Sequence, residues 1–191
     1  MNEYENNTTL EYSIYWLLGV EYQGERVINA WKIEEGRHYP FLNVRSIEEH
    51  FFLVALNKAR RWLKKLKQIT DDDTPIIEFL ENTKRANIVR NKREHDDEYF
   101  GAGKKYPEEP SHNVEAELSF KMNVGTSCSV QTGGKLLLGG IFDVHEGIQA
   151  AKSLQTILRE LQHAYWDGRA LSPNGCDHFK IPGKLIGPSN E

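Results

Sequence analysis

Apolar residues recur at helical spacing along most of this chain. Between Thr8 and Glu35, the residues Leu10, Ile14, Leu17, Leu18, Ile28 and Trp31 fall near the 3.6-residue period that gathers side chains on one helix face. Thr8 or Thr9 is the expected N-cap. Glu11 then sits in the first turn, where a negative charge meets the positive end of the helix dipole. Gly19 and Gly24 each lower helix propensity by about 1 kcal/mol relative to Ala, so they either weaken this segment or mark close helix–helix contact. The run "EEGRHYPFLN" punctuates the chain after it.

A second helix is predicted from about Ser46 to Ile69, with Ser46 and Glu49 as a capping box. Its expected buried stripe is Ile47, Phe51, Val54, Ala55, Trp62, Leu63, Leu66 and Ile69. Lys58, Arg60, Arg61, Lys64, Lys65 and Lys67 cover the opposite side, as a solvated face or a phosphate-contacting one. "TDDDTP" ends that helix, and Thr74 before Pro75 reads as the N-cap and first position of a third. The pattern Ile76, Ile77, Phe79, Leu80, Ile88, Val89 predicts one continuous helix to about Phe100, stopped by Gly101 and Gly103.

The period then changes. "AELSFKM", "TSCSVQ" and "KLLLGG" are short and strand-like, and "NVG" and "TGG" between them predict tight turns. A ribbon of two or three such strands is marginal alone and must pack on the helices. A last long helix follows. Asp143 and Glu146 make a capping-box-like start, and Val144, Ile148, Ala151, Leu154, Leu158, Leu161 and Tyr165 form its stripe. The expected fold is mainly α: a four-helix-type bundle with a small antiparallel β-meander inserted before the last long helix. Residues 1–166 are expected to form the bundle, with the β insertion at about 115–140, and 167–191 an irregular C-terminal tail.

Composition narrows the class. The chain has 191 residues, 39% hydrophobic and 27% charged, which suits one ordinary globular domain. No apolar run approaches the ~18 residues of a membrane span, so no transmembrane helix is expected, and the acidic, polar start "MNEYENNTTLEY" is not expected to act as a signal peptide. The two cysteines, Cys128 and Cys176, are too few and too far apart for a disulfide framework or a zinc site, so a reduced, cytoplasmic protein is expected. A net charge of −4 argues against a general nucleic-acid coat but leaves room for a local basic patch.

Candidate chemistry concentrates in "IVRNKREHDDEYFGAG", Ile88 to Gly103. Asn91, His95 and Tyr99 follow one another at i, i+4 and share a helix face, with Lys84 and Asn87 upstream. Arg90 precedes His95 by five residues, about 7.5 Å along a helix and roughly 140° around it. Within one helix the two side chains diverge, so joint chemistry calls for a second copy alongside. The plainer account pairs Arg90 with Glu94 and Arg93 with Asp97 on the surface.

The run "RNKREH", Arg90 to His95, resembles the signature of the HEPN family: Arg, a polar residue, a short spacer, then His. The acidic, aromatic and glycine run after His95 is similar to that of bacterial proteins of this type. The family is a bundle of about four helices, often with added elements. The resemblance implies a metal-independent endoribonuclease acting as a homodimer, without a cofactor, in a defence or toxin setting with a possible antitoxin or defence partner and no membrane. In that scheme His95 is the acid–base for the 2′-hydroxyl and the 5′-oxygen, Arg90 stabilises charge on phosphorus, and Asn91 positions. Arg61, Lys64, Lys65 and Tyr99 would contact RNA. The alternatives are a non-catalytic dimeric interaction module and a small-ligand sensor with a pocket between helices and meander. His145 and Glu146, the "CDH" of Cys176 to His178, and "TGGK" at Thr132 to Lys135 lack the spacing for a metal or phosphate site.

Overall fold

The computed structural model describes residues 3–33, 44–94, 111–115, 121–125 and 128–166. The chain opens with two long helices, α1 (Glu3–Ile33) and α2 (Val44–Leu66), and α2 ends in a 3₁₀ turn, Lys67–Ile69. They run antiparallel, since Tyr12 meets Trp62 near one end and Arg26 meets Glu48 near the other. α3 (Thr74–Asn82) and α4 (Lys84–Glu94) follow. Among the described residues five short strands come next: β1 (Ser111–Glu115), β2 (Lys121–Gly125), β3 (Ser129–Thr132), β4 (Lys135–Leu138) and β5 (Phe142–Asp143). α5 (Val144–Trp166) closes the described chain. The protein is therefore mainly helical, with small antiparallel strands inserted before the last long helix, as the sequence pattern predicts.

One core joins the elements. Leu10, Leu17, Val20 and Val27 of α1 pack with Phe52, Leu56, Ala59 and Leu63 of α2 and with Ala151, Leu158 and Leu161 of α5. Each fully buried Leu or Phe in such a core contributes about 1.5–3 kcal/mol. α5 crosses closest at Gly24, where an added Cβ would lie 2.4 Å from Ile148 Cγ1 and 3.0 Å from Phe52 Cε2. Gly24 thus marks close contact. Gly19 does not, because its nearest neighbours would stand at 3.7 and 3.9 Å.

Several helix boundaries differ from the expected ones. α1 starts at Glu3, so Thr9 is interior and buried, and its Oγ1 donates to the Glu5 carbonyl at 2.8 Å. α2 starts at Val44, which leaves no capping box for Ser46 and Glu49. Its buried stripe is shifted as well: Phe52 is fully buried, whereas Ile47 is 45% and Phe51 52% exposed. Asp73 is the N-cap of α3, Thr74 its first residue, and Asp72 Oδ1 accepts from the Thr74 amide at 3.0 Å. That bond holds the Asp72 carboxyl below its ordinary pKa.

The expected third helix is broken at Thr83. The Thr83 hydroxyl and amide both donate to the Phe79 carbonyl, at 2.7 and 3.0 Å. Arg60 donates to the Leu80 carbonyl and, at 2.7 Å, to Thr83 Oγ1. Arg60 is therefore no part of a solvated face, for its guanidinium satisfies the Leu80 carbonyl, which the end of α3 leaves open, and the Thr83 hydroxyl. Burial lowers its pKa, and the charge of Glu81 raises it.

The strands form two separate pieces. β1 and β2 pair antiparallel from Ser111 opposite Gly125 to Glu115 opposite Lys121. Asn123 and Gly125 thus lie within a strand, and "NVG" is no turn. β3, β4 and β5 make an antiparallel three-stranded sheet. The turn at Gly133 and Gly134 is tight, with φ of 54° and 72°, values that only glycine adopts freely. β5 runs directly into α5, where Asp143 Oδ1 accepts from the His145 amide at 2.9 Å and caps the helix. Glu146 does not complete a capping box but meets Lys135 Nζ at 3.0 Å. No helix among the described residues is long and apolar enough to cross a membrane.

Candidate functional site

α4 carries the front of the "RNKREH" run. Ala86 and Val89 bury its inner face, at 2% and 0% exposure. Arg90 and Glu94 sit one turn apart and make a two-point ion pair, with Arg90 Nε 2.9 Å from Glu94 Oε1. Asn91 is exposed. His95 and Tyr99 lie outside the described residues, as do Asp97, Gly101 and Gly103.

The neighbouring arginine behaves differently. Arg93 reaches back to α2, where Nη1 donates to Glu49 Oε2 at 2.8 Å, and Nη2 donates to Ser129 Oγ at 2.8 Å. Ser129 in turn donates to the same carboxylate oxygen at 2.8 Å. Trp31 Nε1 donates to Glu49 Oε1, also at 2.8 Å. The Glu49 side chain is 4% exposed and the Arg93 side chain 14%, so this is a buried charge pair with both carboxylate oxygens occupied. It ties α1, α2, α4 and β3 together. The pairing of Arg93 with Asp97 expected from spacing involves a residue outside the described ones. Partners 44 and 80 positions apart in the chain leave no local signal.

The proposed RNA-contacting cations stand elsewhere. Arg61, Lys64 and Lys65 are exposed on α2. Since α4 ends against Glu49, Lys64 and Lys65 sit roughly 22–24 Å further along the α2 axis. One chain does not bring them to Arg90. Lys65 adjoins an aromatic ring instead, its Nζ 4.2 Å from the centre of the Trp62 ring, and on the same helix Lys58 Nζ is 6.0 Å from that of Trp16. Trp62 stacks on Tyr12 at 4.7 Å. The helical period of the basic residues was visible in the sequence, but their antiparallel aromatic neighbours on α1 were not.

A cleft of about 590 Å³ opens between α4, the strands and the start of α5. Arg85, His112, Asn113, Lys135, Asp143 and Glu146 line its polar part. Lys135 lies 3.0 Å from Glu146 and 3.7 Å from Asp143, and the hydrogen bond and charge of Glu146, then the charge of Asp143, raise its pKa. His112 Nε2 is buried without a hydrogen-bond partner among the described residues. No three His, Cys, Asp or Glu side chains among the described residues gather as a metal cluster.

Fold and surface together define a mainly helical bundle with an exposed cationic and aromatic face. In comparisons with known proteins, no family model, no curated protein and no solved structure matches this chain.

Proposed function

We propose that the protein is a metal-independent endoribonuclease of HEPN type, acting as a homodimer on RNA. The observation that carries the proposal is the "RNKREH" run, whose first five residues end a bundle helix with Arg90 and Asn91 on its outer side. RNA supplies its own nucleophile, so the protein need contribute only an acid–base and a cation. His95 exchanges the proton of the 2′-hydroxyl and that of the leaving 5′-oxygen. Arg90 exchanges Glu94 for the phosphorane oxygens, a stronger partner as charge accumulates there. Asn91 hydrogen-bonds the phosphate. Two-fold symmetry supplies the second copy of each group. A toxin or defence role, with a protein that restrains it, fits an enzyme that cuts RNA.

The test is cleavage of single-stranded RNA in EDTA. The parent is expected to leave 2′,3′-cyclic phosphate ends, and Arg90→Ala or His95→Ala to abolish cutting while light scattering still gives a dimer. Full cutting by both variants refutes the assignment.

A second reading is a non-catalytic module that senses a small ligand. The cleft lined by Arg85, His112 and Lys135 favours it, as does the engagement of Arg90 by Glu94. Thermal shift with nucleotides, alongside absence of RNA cutting, would select it.

A further inference from the structure

The outer face of the α1–α2 hairpin carries rings where a solvated surface would carry polar groups. Tyr12 is 46% exposed and Tyr15 61%. They are contiguous rather than scattered. Tyr12 lies nearly flat on Trp62, with an interplanar angle of 12°, and Tyr15 stands edge-on to Tyr12 at 6.5 Å and to Trp16 at 5.4 Å. The antiparallel crossing places these positions side by side.

Cations frame the rings. At about 100° per residue, Lys58, Arg61, Trp62 and Lys65 share an arc of roughly 100° on α2, while Lys64 stands ~120° away from Lys58 on the flank. Elsewhere four lysines are paired with carboxylates: Lys67 with Asp73, Lys84 with Glu81, Lys135 with Glu146 and Lys152 with Glu21. Lys58, Arg61, Lys64 and Lys65 have no carboxylate partner among the described residues. Glu11, next to Tyr12, accepts from Asn7 at 3.1 Å. In a chain of net charge −4 this is a local reversal of sign.

Exposed rings beside unneutralised cations match a ligand that offers flat faces and regularly spaced negative charge. We propose that this face binds single-stranded RNA, with bases stacked on Tyr15 and the Tyr12–Trp62 pair and phosphates held by Lys58, Arg61 and Lys65. The proposal deepens the nuclease reading and rests on it only for the choice of RNA over DNA. A duplex hides its base faces and gains only the charge contacts. A second copy of this chain fits poorly, because a two-fold contact would press the same unneutralised cations against each other.

The experiment is fluorescence anisotropy of a labelled single-stranded 2′-O-methyl RNA, which the chain cannot cut because the nucleophile is blocked. Tyr15→Ala and Trp62→Ala should each weaken binding roughly 5- to 150-fold, and Trp62→Phe, which keeps a stacking ring, should retain most of it. Lys58→Ala with Lys65→Ala should reduce the slope of log affinity against log salt by about 1.4, at ~0.7 per phosphate contact. The proposal is overturned if both ring variants bind like the parent while melting normally, if the parent binds duplex as tightly as single strand, or if the parent does not bind. It is also overturned if Tyr15→Ala turns a dimer into a monomer and leaves RNA binding intact, which assigns the face to a second copy. A parent that binds the blocked strand but cuts no RNA keeps this proposal and ends the nuclease. A parent that cuts RNA while both ring variants bind normally does the reverse.

Discussion

Arg90 and Arg93 lie one turn apart on α4, yet their loss should have very unequal consequences. Replacing Arg93 with Met removes the cation from a carboxylate whose side chain is only 4% exposed. Trp31 Nε1 and Ser129 Oγ still donate to Glu49, but neither carries charge. Breaking one partner of such a pair costs about 3–5 kcal/mol. With a urea dependence near 2 kcal/mol per molar, the unfolding midpoint should fall by roughly 1.5–2.5 M. Glu49→Leu alone should cost a similar amount, because it strands the guanidinium. In the double variant no buried charge is left alone, and the remaining cost is the lost acceptor for Trp31 and Ser129, about 1–2 kcal/mol each. The double variant should therefore be more stable than either single one. Arg90→Ala, measured in the same way, should cost only ~0.3–0.5 kcal/mol, as for any i, i+4 pair near the surface. Additive single effects, or an Arg93→Met loss below about 1 kcal/mol, would refute the buried-pair argument.

Two further outcomes follow from local geometry. Gly19→Ala should raise the melting temperature by a few degrees through about 1 kcal/mol of helix propensity, whereas Gly24→Ala should lower it, because overpacking against Ile148 costs about 1–3 kcal/mol. Equal shifts in calorimetry would show that α5 does not press on α1 there. Glu48 titrates below its ordinary 4.5 in the folded chain, chiefly through the hydrogen bond from Arg26. Its contribution is fully present above the unfolded pKa and is lost as pH falls through the lowered folded value. Urea midpoints taken from about pH 6 down to about pH 3 should therefore drop less steeply for Glu48→Gln than for the parent. Parallel curves would remove Glu48 from the acid response.

What the sequence disclosed was local. The α5 stripe from Val144 to Leu161, the Gly-Gly hairpin and the cap at Asp143 depend on neighbours within a few positions, and each stands where the pattern places it. The break at Thr83 was hidden because no Gly or Pro marks it, and Arg60, 23 positions earlier, supplies the missing partner. In "HFFLVAL" two phenylalanines are adjacent, and helical spacing alone does not decide which one turns inward; the contact with α5 and Phe142 selects Phe52. Glu49 resembled half of a capping box because its true partners are remote. Of the site, the motif and the basic residues were legible. The rings on α1 that flank Trp62, and the distance separating the basic cluster from Arg90, emerge only once the helices are laid side by side.

β5 and α5 meet with no residue between them, since Asp143 ends the strand and Val144 begins the helix. The rotational phase of the C-terminal helix is therefore inherited from a strand of two residues. Adding a single residue at that junction would turn every later side chain by about 100°. Ile148, Leu154 and Leu161 would swing out of the core together. Evolution can thus lengthen the loops of this chain far more freely than it can alter this one joint.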